Sequence, residues 1–372
     1  SVVPIVYPVE SQALIAAYIS FQPSDLYTTH TYAGSSSAPN AQTIGFQPDF
    51  VWTKPTDLAD PGRLVNSARG GDYTQKSSSD QAEQSGWTPG AAISAWDSTG
   101  YTIGTTDGGF NSSSWNYVAW CWKAGTTTGI AGSPTITPTA YSFNQTAGFS
   151  VVTYTANNTA GATIPHGLGA APDVALFKCT SYAENWNMYN KNLTGGTAAT
   201  YTIRLNHGTA EATTDNYNDT AQTSTTLFTL GNSGEINEGT RAYVGYFFKE
   251  KRGYSKFGKY VGNGNADGTF IYTGFRPAFV MIKATFGEVW NIWDNKRNTP
   301  SLKTGNENYT VLQPNNDNIN QVGGAQAIDM LANGFKTYDS SDELNKSANN
   351  YIFMAFAEFP LVSSNSKAGT AR

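Results

Sequence analysis

Gly45-Phe46-Gln47-Pro48-Asp49-Phe50-Val51-Trp52-Thr53-Lys54 decides the fold, because this stretch occurs three times. Its second form is Gly169-Ala170-Ala171-Pro172-Asp173-Val174-Ala175-Leu176-Phe177-Lys178, and its third is Gly274-Phe275-Arg276-Pro277-Ala278-Phe279-Val280-Met281-Ile282-Lys283. Each reads as a turn, a Pro, four mostly apolar residues and a Lys. A second block follows each copy: Asn116-Tyr117-Val118-Ala119-Trp120-Cys121-Trp122-Lys123, Ala242-Tyr243-Val244-Gly245-Tyr246-Phe247-Phe248-Lys249 and Asn350-Tyr351-Ile352-Phe353-Met354-Ala355-Phe356-Ala357. From Pro to Tyr the separations are 69, 71 and 74 residues. Two blocks held at one spacing three times over mark an internal repeat.

Working outward, weaker blocks keep the same order. Tyr27-Thr28-Thr29-His30-Thr31-Tyr32, Ser150-Val151-Val152-Thr153-Tyr154-Thr155 and Ser255-Lys256-Phe257-Gly258-Lys259-Tyr260 precede the first block. Gly100-Tyr101-Thr102-Ile103, Thr226-Leu227-Phe228-Thr229-Leu230 and Gly334-Phe335-Lys336-Thr337 precede the second. The two strong blocks are apolar on both alternations, as mid-sheet strands with both faces covered should be. The weaker ones alternate apolar with polar residues, the pattern of half-exposed strands. Short strands punctuated by Gly, Pro, Asn and Asp predict a sandwich.

The expected fold is therefore all-β: three tandem β-sandwich domains of jelly-roll or lectin-like type. Their bounds are 21–130, 131–250 and 251–372, the last including a C-terminal tail. Residues 1–20 stand outside the repeat and carry Pro4 and Pro8. They read either as an arm docking on another chain or as an added edge strand of the first unit. Gly125–Pro134 reads as a flexible uncharged joint, and Lys249–Gly253 as a short charged one.

Composition narrows the function. In 372 residues, 39% are hydrophobic and 13% aromatic, enough for sizeable cores, while only 14% are charged. A formal charge of −5 argues against a nucleic-acid partner, which needs a basic face, and disfavours an acidic membrane surface for the same reason. No apolar run approaches the ~20 residues of a membrane span, and no signal peptide is visible. Cys121 and Cys179 lie in strand-like runs and read as buried free thiols rather than a disulfide or zinc framework, which fits synthesis in a reducing cytosol.

Chemistry is sparse. His30, His166 and His207 show no metal-ligand spacing, and His166 falls in a repeat turn. Neither a GxSxG elbow nor a phosphate loop is present. Asp49, Asp173, Asp294 and Glu358 are available to a glycosidase pair, yet they occupy repeat positions that are not uniformly acidic. Asn263-Gly264-Asn265-Ala266-Asp267-Gly268 imitates the start of an EF-hand loop, but its twelfth position is Gly274 where Glu is required, so it reads as a hairpin turn. No metal and no cofactor is expected. Aromatics among loop formers are the remaining hint: Trp87, Trp115, Tyr217 and Tyr309. Flat rings beside Asn and Asp suit glycan contacts or subunit contacts, and each ring can also fold back over the edge of its own sandwich.

The repeat blocks also resemble a family. GF-x-PD-x-V-W-x-K from Gly45, the Arg69-Gly70 turn and the run Asn111 to Gly125 ending in YVAWCWKAG resemble a domain of unassigned function found in marine bacteriophage structural proteins. Gly148–Thr155, Gly334–Lys336 and the closing Ala355–Pro360 match the same pattern, so the resemblance covers residues ~20–360. It implies a non-enzymatic virion protein on the particle exterior, as tail fibre, appendage or capsid decoration. Its partners would be other virion proteins, in a homo-oligomer, with a host surface glycan as a further candidate. It supplies no site residues. A carbohydrate-binding receptor adhesin and a glycan-degrading tail enzyme are the alternatives.

Overall fold

The structure, a computed structural model, describes residues 21–196, 199–297, 307–308, 310–321 and 326–358. Residues 1–20 and Tyr309 lie outside the described residues. One 3-10 turn, Pro23–Asp25, precedes the first strand, and nearly all other regular structure among the described residues is strand. The chain is all-β.

The first repeat supplies β1 (Tyr27–Ala33), β2 (Asn40–Thr43), β3 (Phe50–Pro55), β4 (Arg63–Asn66), β5 (Gln75–Lys76), β6 (Ile93–Asp97), β7 (Gly100–Ile103) and β8 (Asn116–Trp122). The second supplies β9 (Ala140–Asn144), β10 (Phe149–Thr155), β11 (Ala162–Pro165), β12 (Val174–Cys179), β13 (Asn187–Asn190), β14 (Tyr201–Arg204), β15 (Ala212–Thr213), β16 (Leu227–Leu230) and β17 (Ala242–Phe248). The third supplies β18 (Ser255–Val261), β19 (Phe270–Tyr272), β20 (Phe279–Ala284), β21 (Asn291–Asp294), β22 (Glu307–Asn308), β23 (Ile328–Leu331), β24 (Gly334–Thr337) and β25 (Asn350–Phe356).

Each sheet draws its strands from one repeat. The larger sheets run β1-β8-β3-β4-β5, β15-β14-β13-β12-β17-β10-β9 and β18-β25-β20-β21, and the smaller ones β2-β7-β6, β11-β16 and β19-β24-β23-β22. In every repeat the opening long strand pairs with the last, which then pairs with the Pro-led strand. Register repeats as well: Trp122 lies opposite Tyr27 and Phe50, Phe248 opposite Phe149 and Val174, and Phe356 opposite Ser255 and Phe279. These ladders fix the equivalences among the three copies. Gly45, Gly169 and Gly274, which open the turn before the Pro, all have positive φ, at 95°, 68° and 84°. A side chain is disfavoured there.

Alternation along the last strand shows how each sheet is used. Ala119 and Cys121 of β8 pack with Tyr101 and Ile103 of the small sheet in an outer core. Val118, Trp120 and Trp122 face the other way, into a core shared by all three repeats. The second and third repeats have outer cores of their own and give their opposite faces to the same common core. The "both faces covered" pattern thus has a specific cause: one cover is the unit's own small sheet, the other is its two sister repeats.

This corrects the reading of the first joint. Gly125–Pro134 is not a free linker: Gly125 N–H donates to Ser142 Oγ, and Thr126 forms a bridge with Phe143. In the charged joint, Lys249 Nζ and Glu250 N–H both donate to Asp173. Cys121 and Cys179 are free and buried.

Candidate functional site

The Lys that ends each Pro-led block opens the site. Lys54, Lys178 and Lys283 are at most 1% exposed, although a buried ammonium is costly unless its donors are satisfied. Lys178 Nζ donates to Glu184 O at 2.8 Å and Cys179 O at 3.1 Å within its repeat, and to Asp80 O of the first repeat at 2.9 Å. Lys283 donates to Ala284 O, Gly287 O and Glu288 O, and to Gly208 O of the second repeat at 3.3 Å. Lys54 donates to Asp60 O at 2.8 Å and to Asn316 O of the third repeat at 3.3 Å. Each repeat therefore reaches to one neighbour, and the third contact closes a ring.

Two residues further on, a Thr receives the return bond. Asn320 N–H donates to Thr56 O, Glu83 N–H to Thr180 O, and Glu211 N–H to Thr285 O, each at 2.8–3.0 Å across the same seam. The Thr side chains donate in turn to Asn116 O, Ala242 O and Asn350 O of their own last strands. Lys-x-Thr is thus a seam motif, its Lys giving and its Thr carbonyl accepting. Burial pushes the ammonium groups down against the attraction of nearby carboxylates, to about 8 for Lys54 and Lys178 and about 7 for Lys283.

The ring has an aromatic axis. Trp122, Phe248 and Phe356 occupy one ladder position in the three repeats and meet as a triangle, with centroids 6.5, 5.5 and 6.0 Å apart. Around it, Trp120 Nε1 donates to Asp294 Oδ2 at 3.1 Å, and Asn66 Nδ2 to Tyr246 OH at 2.9 Å. Trp120, Tyr246 and Met354 are equivalent, as are Asn66, Asn190 and Asp294. At the third corner the thioether of Met354 replaces a hydrogen-bonding group, and Asn190 Nδ2 has no partner.

A further polar device also repeats. Tyr117, Tyr243 and Tyr351 donate from OH to the carbonyl nine residues earlier and accept from the amide five residues earlier. Each ring stacks on Tyr32, Tyr154 or Tyr260.

Against these joints, the aromatic residues expected to make contacts fare differently. Tyr217 is fully buried: its ring packs edge-on against Tyr189 and Phe228, and its OH bonds Asn187 and Thr202. It is a core residue of the second repeat, because the loop carrying it folds over the sandwich. Trp87 packs edge-on against Phe110 at 5.3 Å with Arg63 over its ring. Trp115 is half-buried in the turn before β8. The structure does not bring them together into one site. Among the described residues the most exposed rings are Tyr182 and Tyr272, at 57% and 65%.

Asp49, Asp173, Asp294 and Glu358 are buried and tie the chain together. Asp49 accepts from Ser67 and Ser142, Asp173 from Lys191 and Lys249, and Glu358 from Thr28 and Asn295. His166 is buried with Nδ1 accepting from Leu168 N–H and Nε2 facing Ser224 O, which fits a neutral ring. Burial holds its pKa down to about 4. In the EF-hand-like string, Asn263 N–H is taken by Asn345 Oδ1 and Asn263 Oδ1 by Asn265 N–H, the bonding of a turn. No cluster of metal-ligating side chains occurs among the described residues.

One open polar cleft of the second repeat, about 440 Å³, does hold carboxylates: Glu184, Asp215, Glu235 and Glu238. Burial would raise Glu235, but hydrogen bonds from Asn187 and Asn185 and the Arg204 guanidinium outweigh it and hold the carboxyl below its usual range. A general acid needs the opposite shift.

These contacts define an all-β scaffold of three fused sandwich repeats closed into a ring. A family model described as "Domain of unknown function (DUF7483)" matches residues 22–360, and the chain belongs to that family. The match spans all three repeats. No curated protein and no solved structure matches.

Sequence reasoning found the repeated Lys but not its use. The available signal was a charge kept at the end of a doubly buried strand in all three copies, followed each time by Thr: Lys54-Pro55-Thr56, Lys178-Cys179-Thr180 and Lys283-Ala284-Thr285.

Proposed function

We propose that the protein is a non-enzymatic structural component of a virion exterior, acting as a rigid block in a tail fibre, appendage or capsid decoration. The observation that supports this reading is the fate of the repeated polar groups. Lys54, Lys178 and Lys283, the buried cations that end the three Pro-led blocks, are spent on backbone carbonyls at the seams. Evolving such joints favours rigidity over turnover, and the resemblance of the repeat blocks to phage structural domains points the same way. Immunogold labelling of purified particles with an antibody to this chain tests it. Label on the outer surface of intact particles supports the proposal; its restriction to unassembled protein in the lysate overturns it.

A carbohydrate-binding reading draws on the exposed rings of Tyr182 and Tyr272 and on Trp115. Glycan-array binding that is lost in Tyr272→Ala or Trp115→Ala would favour it.

A further inference from the structure

The small sheets of the second and third repeats differ at one edge. In β11, Thr163 is turned outward from its partner β16, since His166 N–H to Thr226 O sets the neighbouring residues in the bonded register. That outer edge is occupied. Ile136 N–H donates to Thr163 O at 3.0 Å, Thr163 N–H to Thr135 Oγ1 at 2.7 Å, and Ile136 is buried in the outer core. The segment Pro134-Thr135-Ile136-Thr137-Pro138 is therefore a strap, two prolines bounding three β-prone residues.

In the third repeat no described residue pairs with the equivalent edge. Thr337 N–H to Thr269 O and Thr273 N–H to Asn333 O turn the backbone N–H and C=O of Phe270 and Tyr272 outward. β19 is the terminal strand of its sheet, and the joint before β18 is too short to double back over it. Phe270, Tyr272 and the nearby Val261 are 45%, 65% and 54% exposed. A bare apolar edge of this kind is an aggregation liability unless it is covered.

We propose that β19 takes an added strand, and that its occupant is the chain's own Pro4-Ile5-Val6-Tyr7-Pro8. Three observations single this segment out. It repeats the Pro-to-Pro spacing of the strap on β11. Its Ile, Val and Tyr match the apolar Phe270 and Tyr272 better than they match Ala41 and Thr43 at the corresponding edge of the first repeat. Phe21, the first described residue, packs on Tyr254 at the start of the third repeat, with centroids 5.7 Å apart. From there the 13 residues back to Pro8 can span up to ~43 Å, against roughly 23 Å for the length of β18.

Strand addition would bond the outward amides of Phe270 and Tyr272. Hydrogen exchange of these two amides in the full-length protein is the test, compared between the wild type and the Ile5→Pro/Tyr7→Pro variant. The expected result is exchange at least ~10-fold faster in the variant at Phe270 and Tyr272, with Phe335 on β24 unchanged. Equal rates overturn the proposal. In a second measurement, Val6→Cys and Phe270→Cys are oxidised together in dilute protein. An intrachain crosslink supports the assignment. A crosslinked dimer overturns it in favour of a strand from a second copy, and no crosslink overturns it outright.

Discussion

The rings of Trp122 and Phe356 sit 5.5 Å apart, although one closes the first repeat and the other closes the last. Phe248 completes the triangle, so the three repeats share a centre that none of them could build alone. Trp122→Ala is expected to cost about 3–5 kcal/mol. Because the common core is one body, the loss should appear as an earlier midpoint of a single unfolding transition. Urea denaturation followed by fluorescence and by circular dichroism checks this; non-coincident curves would show repeats unfolding separately.

Lys178→Met is expected to destabilise by about 2–4 kcal/mol, because Asp80 O, Cys179 O and Glu184 O lose their donor while remaining buried. Thr180→Val, which removes only the hydroxyl bond to Ala242 O and leaves the backbone seam bond in place, should cost about 1 kcal/mol. Calorimetry of the two variants side by side reads the difference.

Alkaline stability follows from the same lysines. Their folded pKa values of about 8, 8 and 7 lie below the unfolded value of 10.5, so the unfolded chain binds more protons from pH ~7 upward. Stability must rise with pH through that window. Buried tyrosines oppose the trend later. Burial pushes Tyr27, Tyr101 and Tyr154 well above 10, so above pH ~10 the unfolded chain loses protons that the fold retains, and stability falls. A maximum between pH ~9 and ~10 is expected in a chemical-denaturation series. Lys283→Met should flatten the rising limb.

His166 governs part of the acid side. With a folded pKa of about 4 against an ordinary 6.5, its neutral form contributes stability that is complete above pH 6.5 and is lost as pH falls towards 4. The loss for this one group reaches about 3 kcal/mol. His166→Asn should reduce the slope of stability against pH between 6.5 and 4, measured by unfolding midpoints.

The repeat was legible from two blocks because Pro, Lys and the Tyr of the last strand are fixed by geometry: a turn, a seam and a capped loop. Sandwich class was legible from strand spacing. The common core was not, since a strand apolar on both faces states that it is covered without naming the cover. Which loop aromatic folds back over its own sandwich was not legible either, and Tyr217 shows why. Its neighbours Asp215, Asn216, Asn218 and Asp219 mark a surface turn, and nothing local records that Asn187 and Thr202 wait beneath to bond its hydroxyl. Gly125–Pro134 looked free for lack of charge or bulk, yet Ile136 just beyond it anchors a strap over β11.

The bond from Lys54 to Asn316 spans 262 residues of chain. Trp120 and Trp122 on the inner face of the first repeat gain Phe279 and Phe356 as cover only once the third repeat is made. A nascent chain of this design leaves part of a large aromatic surface uncovered between its first repeat and its third, so its yield in a cell depends on what shelters that surface in the interval.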